Sequence, residues 1–109
     1  MTTNGSPAPT VGTVVERLTA ELGDVTSSGS ASGTEFKRAG QTFAVLQGSQ
    51  VSLKLRPDIA EAALHTPGTS PSDRGDEWIE FQPDPSDPQD VDRLQAWLTI
   101  GWRSAQRRN

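Results

Sequence analysis

The sequence contains no cysteine. That excludes disulfides, thiolate nucleophiles and any zinc site built on sulfur. It contains one histidine, His65, so a multi-histidine metal site is excluded as well. Apolar residues are scarce, at 32% of the chain, against ~45–50% for a typical domain on a count that includes glycine. The ten glycines do not fully close that gap, so part of the chain is expected to lie outside the core. No stretch approaches the ~18 consecutive apolar residues of a membrane span. Residues 1–9 lack the basic and apolar regions of a secretory signal. A cytoplasmic protein with no membrane partner is therefore expected. Positive charge is in deficit too: ten Lys and Arg stand against fourteen Asp and Glu, for a net charge of −4. A protein that coats nucleic acid by bulk charge is excluded on that ground.

What is present suffices for one domain. The chain has 109 residues, and independent cores need at least ~50 residues each. Residues 1–10, rich in Thr, Ser, Gly and Pro, are expected to form a disordered tail. Val11, Val14, Val15, Leu18 and Leu22 then recur at helical spacing, with Thr10 as N-cap and Gly23 as terminator. Thr26–Gly33, dominated by Ser and Gly, reads as a flexible connector. Strands are expected over 34–39, 42–47 and 51–56, separated by turns at Gly40 and Gly48. The last of them alternates, with Val51, Leu53 and Leu55 on one face and Ser52, Lys54 and Arg56 on the other. Connections this short require antiparallel pairing.

Pro57 opens a short helix that Thr66, Pro67 and Gly68 stop. A polar loop over 69–76 precedes a fourth strand, 77–82, carrying Trp78, Ile79 and Phe81. The Pro-Asp-rich segment 83–88 is a rigid turn. The final helix, 89–106, places Val91, Leu94, Leu98, Trp102 and Ala105 on one stripe and leaves Trp97 and Ile100 off it. Arg107, Arg108 and Asn109 form a basic end. The expected fold class is α+β: a two-layer sandwich, order α-β-β-β-α-β-α, with an antiparallel sheet covered by helices on one face. Residues 11–106 make the single domain.

The run Phe36-Lys37-Arg38-Ala39-Gly40-Gln41-Thr42-Phe43-Ala44-Val45-Leu46 resembles the first hairpin of the MmcQ/YjbR-like proteins, which include small bacterial proteins labelled as a luciferase-like domain. Val51-Ser52-Leu53-Lys54-Leu55-Arg56-Pro57-Asp58 is similar to their next strand and the start of the short helix. Trp78 opening a late strand and Trp102 near the end of the closing helix extend the resemblance over Val11 to Ala105. It implies a CyaY-like fold and no defined reaction. Members carry a DNA-binding label, from which this acidic chain departs. The frataxin branch of that fold binds iron through an acidic first helix. Here that region offers only Glu16, Glu21 and Asp24, so no iron role is expected.

Catalytic chemistry finds little footing. His65 sits one helical turn after Glu61, yet a lone histidine matches no catalytic motif and is expected to be an exposed helix-end residue. No nucleophile elbow or phosphate-cradling glycine loop occurs. Asp73, Asp76, Glu77 and Glu80 are oxygen ligands without calcium-loop spacing. Asp84, Asp87, Asp90 and Asp92 suit turns and helix capping. No catalytic residue, metal ligand or cofactor is expected. The open sheet face is different. Lys37, Lys54 and Arg56 would form a positive patch there, with Trp78 beside it and Arg103 at the end of the last helix; the plainer readings are a solubilising strand surface for the basic residues and core packing for Trp78. The candidate ligand-binding set is Lys54, Arg56, Trp78 and Arg103. It would take a small anionic ligand or a protein partner, in a binding module rather than an enzyme. Weak nucleic-acid binding by the same patch, disfavoured by net charge, and a small enzyme using His65 are the alternatives.

Overall fold

A computed structural model describes residues 10–30 and 33–106. The expected disordered tail (apart from Thr10) and the basic end at Arg107, Arg108 and Asn109 lie outside the described residues. The chain is α+β, as expected, with three helices and one open antiparallel sheet of six strands among the described residues. Helix α1 (Val11–Leu22) begins where Thr10 accepts the Thr13 backbone N–H, and ends at Gly23, whose φ is 81°. Its apolar stripe, Val11, Val14, Val15 and Leu18, is buried.

Six strands replace the four expected. Thr26–Ser30 is no connector: it forms strand β1, paired antiparallel with β2 (Gly33–Arg38) at the sheet edge. Its small polar side chains carry no strand signal, and the partner strand supplies the hydrogen bonds that order it. β2 returns through Ala39 and Gly40, both at positive φ (54° and 78°), into β3 (Gln41–Gln47). Two successive left-handed residues match the twist of a tight hairpin. β4 (Gln50–Lys54) follows, and Leu55 and Arg56 leave the strand because Pro57 starts α2 (Pro57–Ala63). The expected loop over 69–76 contains β5 (Thr69–Pro71), which closes the other edge against β6 (Trp78–Phe81). Proline is tolerated there because an edge strand has a side that needs no N–H donor. Helix α3 (Pro88–Gln106) completes the chain.

Strand order is β1-β2-β3-β4-β6-β5. Registered rows run across it: Phe36, Ala44, Leu53 and Ile79 form one, and Leu46, Val51 and Phe81 another. Both rows pack with the stripes of α1 and α3 in a single core, to which α2 adds Ala60 and Ala63. On α3 the buried positions are Leu94, Trp97, Leu98, Gly101 and Ala105. The expected roles of the tryptophans are thus exchanged. Trp97 is in the core, edge-on to Phe81 with centroids 5.0 Å apart, while Trp102 is half-buried. The helix presents a face wider than a single stripe because it packs on the sheet and on α1 together. Among the described residues, no helix is long and apolar enough to cross a membrane.

Candidate functional site

The reverse face of the sheet carries the row Glu35, Val45, Ser52, Glu80, Ser70. Lys37 and Lys54, each two residues along its strand, point the same way. This face is not the basic patch expected. Lys37 lies 3.8 Å from Glu35, and Glu80, on the strand adjacent to Lys54, stands opposite Ser52, two residues along from Lys54. Charge on the face is mixed, two lysines with two glutamates. Val45 and Ser52 at its centre are buried rather than open to solvent.

Glu80 is the hub of the polar network. Its carboxylate accepts from Gln50 Nε2 at 2.6 Å, Ser52 Oγ at 2.7 Å and Ser72 Oγ at 2.6 Å. Three donors on two segments, β4 and the stretch after β5, hold both oxygens, so Glu80 fastens β4, β6 and the segment after β5. It has little acceptor capacity left for a substrate. Among the described residues no three acidic or histidine side chains gather into a metal-binding group.

The four candidate ligand-binding residues divide between two places. Lys54 and Trp78 are directly opposite each other across β4 and β6. Trp78 is half-buried and walls a groove of about 330 Å³ with Pro57, Leu64 and Pro71, rimmed by Glu61 and Asp76. Arg74 places its guanidinium carbon 5.5 Å from the Trp78 ring centroid. Leu64 is exposed beside it. Trp78 therefore lies outside the core.

Arg56 and Arg103 are elsewhere. They flank a smaller cleft of about 230 Å³ whose apolar walls are Ile59 and Ile100. The reason is local: β4 ends at Lys54, and Arg56 takes the N-cap position of α2, out of the strand's alternation. Arg56 also has a counterion, Asp58, at 3.6 Å. His65 is exposed just past α2 and forms no ion pair or side-chain hydrogen bond among the described residues, so the structure gives it no orienting carboxylate. The aspartates act as expected in turns: Asp84 accepts from Ser86 N–H, and Asp87 caps α3 through Gln89 N–H.

One charged residue was overlooked in the sequence. Arg38 ends β2 with its side chain only 9% exposed. Its guanidinium lies over Trp102, 3.5 Å from the ring centroid, and Nη1 donates to the Trp102 carbonyl at 3.2 Å. Asp24 is its nearest carboxylate, 4.0 Å away and itself 84% exposed. The signal was available: Phe36 points into the core, and two residues along a strand the pleat repeats. A cleft of about 580 Å³, lined by Asp24, Val25, Thr26, Arg38 and Ala39, opens beside it.

Compared with known proteins, the chain matches no family model, no curated protein and no solved structure.

Proposed function

We propose that the protein is a non-catalytic, cytoplasmic binding module of the MmcQ/YjbR-like type, taking a small ligand or a protein partner in the groove beside Trp78. The observation that carries this reading is the placement of Trp78, half-buried outside the core beside an exposed leucine and two prolines. A rigid aromatic left part-open in a concave apolar wall offers contact area at small entropic cost, which is how binding sites use tryptophan. Lys54 is its cross-strand neighbour on β4. The family part of the reading rests on the Phe36–Leu46 and Val51–Asp58 sequences.

Among the described residues His65 has no orienting partner, and on the open sheet face Glu35 and Glu80 interleave with Lys37 and Lys54, which speaks against nucleic-acid binding there. The test is a thermal-shift screen over metabolites, nucleotides and short peptides, because a native-state ligand raises the melting temperature by mass action. Hits are then mapped by NMR. A hit that shifts the Trp78 indole signal, is lost in Trp78→Ala and is recovered unchanged supports the module. Hits that leave Trp78 unperturbed, or that are chemically converted, overturn it.

A further inference from the structure

We infer that the cleft beside Arg38 is an anion-binding site for the carboxylate or phosphate group of a small organic acid. This site is separate from the Trp78 groove and does not depend on it.

The argument starts from how incompletely Arg38 is partnered. A guanidinium carries five N–H donors in one plane and cannot shed its charge. Among the described residues this one makes a single hydrogen bond, from Nη1 to a neutral carbonyl. The indole face beneath it contributes a cation–π contact but no counter-charge. Asp24 Oδ2 is 4.0 Å from Nη2, beyond hydrogen-bonding distance, and turns most of its surface to solvent. A cation withdrawn from water and left with a distant, solvated counterion is an arrangement that an oxyanion completes. The planar fork matches two oxygens of a carboxylate or phosphate, and both bonds are charge-assisted.

The cleft suits an organic anion. Val25, half-buried, gives an apolar wall for a carbon skeleton. Thr26, on edge strand β1, presents a hydroxyl that makes no side-chain hydrogen bond among the described residues. Asp24 occupies the opening and competes with the ligand for the same guanidinium. Its backbone has φ 55°, the left-handed region that Asp and Asn both enter readily. Asp24→Asn therefore removes the competing charge while keeping the turn.

The test uses the full chain, ¹⁵N-labelled and titrated at constant ionic strength with inorganic phosphate and, separately, with benzoate. Saturable shifts are expected at the amides of Asp24–Thr26 and Arg38–Gly40 with at least one probe. Response to benzoate alone marks a carboxylic acid as the ligand source, and response to phosphate alone a phosphate ester. Asp24→Asn is expected to tighten binding by about threefold to tenfold, and Arg38→Lys to weaken it by about tenfold, the factor that one charge-assisted hydrogen bond carries. A guanidinium that served only to clamp α3 onto β2 would respond to neither probe. The proposal is overturned if no saturable shift appears at those amides, or if Asp24→Asn leaves the affinity unchanged. Asp24 is exposed, so that variant decides the question even if Arg38→Lys fails to fold. Neither outcome bears on Trp78, whose groove is built from α2, β6 and the segment between them.

Discussion

The Arg38 guanidinium carbon lies over the ring of Trp102, 3.5 Å from its centroid, and the guanidinium donates to the carbonyl of that same residue. The Trp102 indole in turn donates Nε1–H to the carbonyl of Gly23 at 2.8 Å. One half-buried tryptophan thus ties the end of β2, the exit of α1 and the last turns of α3 together, across sequence separations of 64 and 79 residues.

The first prediction concerns that tie. Trp102→Phe keeps the stacked ring and loses the hydrogen bond to Gly23, and is expected to destabilise by about 0.5–1.5 kcal/mol. Trp102→Ala removes both and exposes the Arg38 site, at about 2–4 kcal/mol. Urea unfolding of the two variants beside the parent measures the difference.

Gly101 carries the second. Helix propensity alone says that alanine in place of a mid-helix glycine stabilises by about 1 kcal/mol. Here a Cβ at Gly101 would stand 3.0 Å from the Lys54 carbonyl oxygen and 3.3 Å from Phe43 Cβ. The helix rests its backbone directly on the sheet at that point. Gly101→Ala is expected to reverse sign and destabilise by about 1–3 kcal/mol, read from the thermal midpoint.

Glu80 supplies the third. Removing its carboxylate strands the Ser52 hydroxyl, which is 1% exposed, without an acceptor. Glu80→Ala is expected to cost about 1–3 kcal/mol. Glu80→Gln keeps a carbonyl oxygen for Ser52 and is expected to cost less. Equal losses in the two variants would contradict the role given to the hydrogen bonds.

Strand β1 supplies the fourth. If Thr26–Ser30 is paired with β2 as observed, amides in this serine-rich segment that face β2 will exchange with deuterium more slowly than those in the segment after Pro71, in native-state conditions. Uniformly fast exchange across 26–30 would contradict the pairing.

Much of the framework was legible in order along the chain. The α1 stripe, the Thr10 cap, the Gly40 and Gly48 turns and the Val51-Leu53 alternation each depend on neighbours within one or two turns, and all appear where they were expected. The missed strands, β1 and β5, lack local signal, because serine, threonine and proline become strand residues only when a partner edge satisfies their backbone. The candidate site was legible in part. Lys54 and Trp78 do meet, through cross-strand register. Arg56 and Arg103 do not join them, because alternation ceases to apply where Pro57 ends the strand.

Periodicity, capping residues and the lack of cysteine and long apolar runs were enough to determine an α+β chain with an antiparallel sheet, since these act through bonds and short-range sterics. Which tryptophan entered the core, which arginine was withdrawn from water and which carboxylate gathered three donors were decided only when distant segments packed. Burial and charge pairing belong to the assembled surface, and no single segment of the chain contains it.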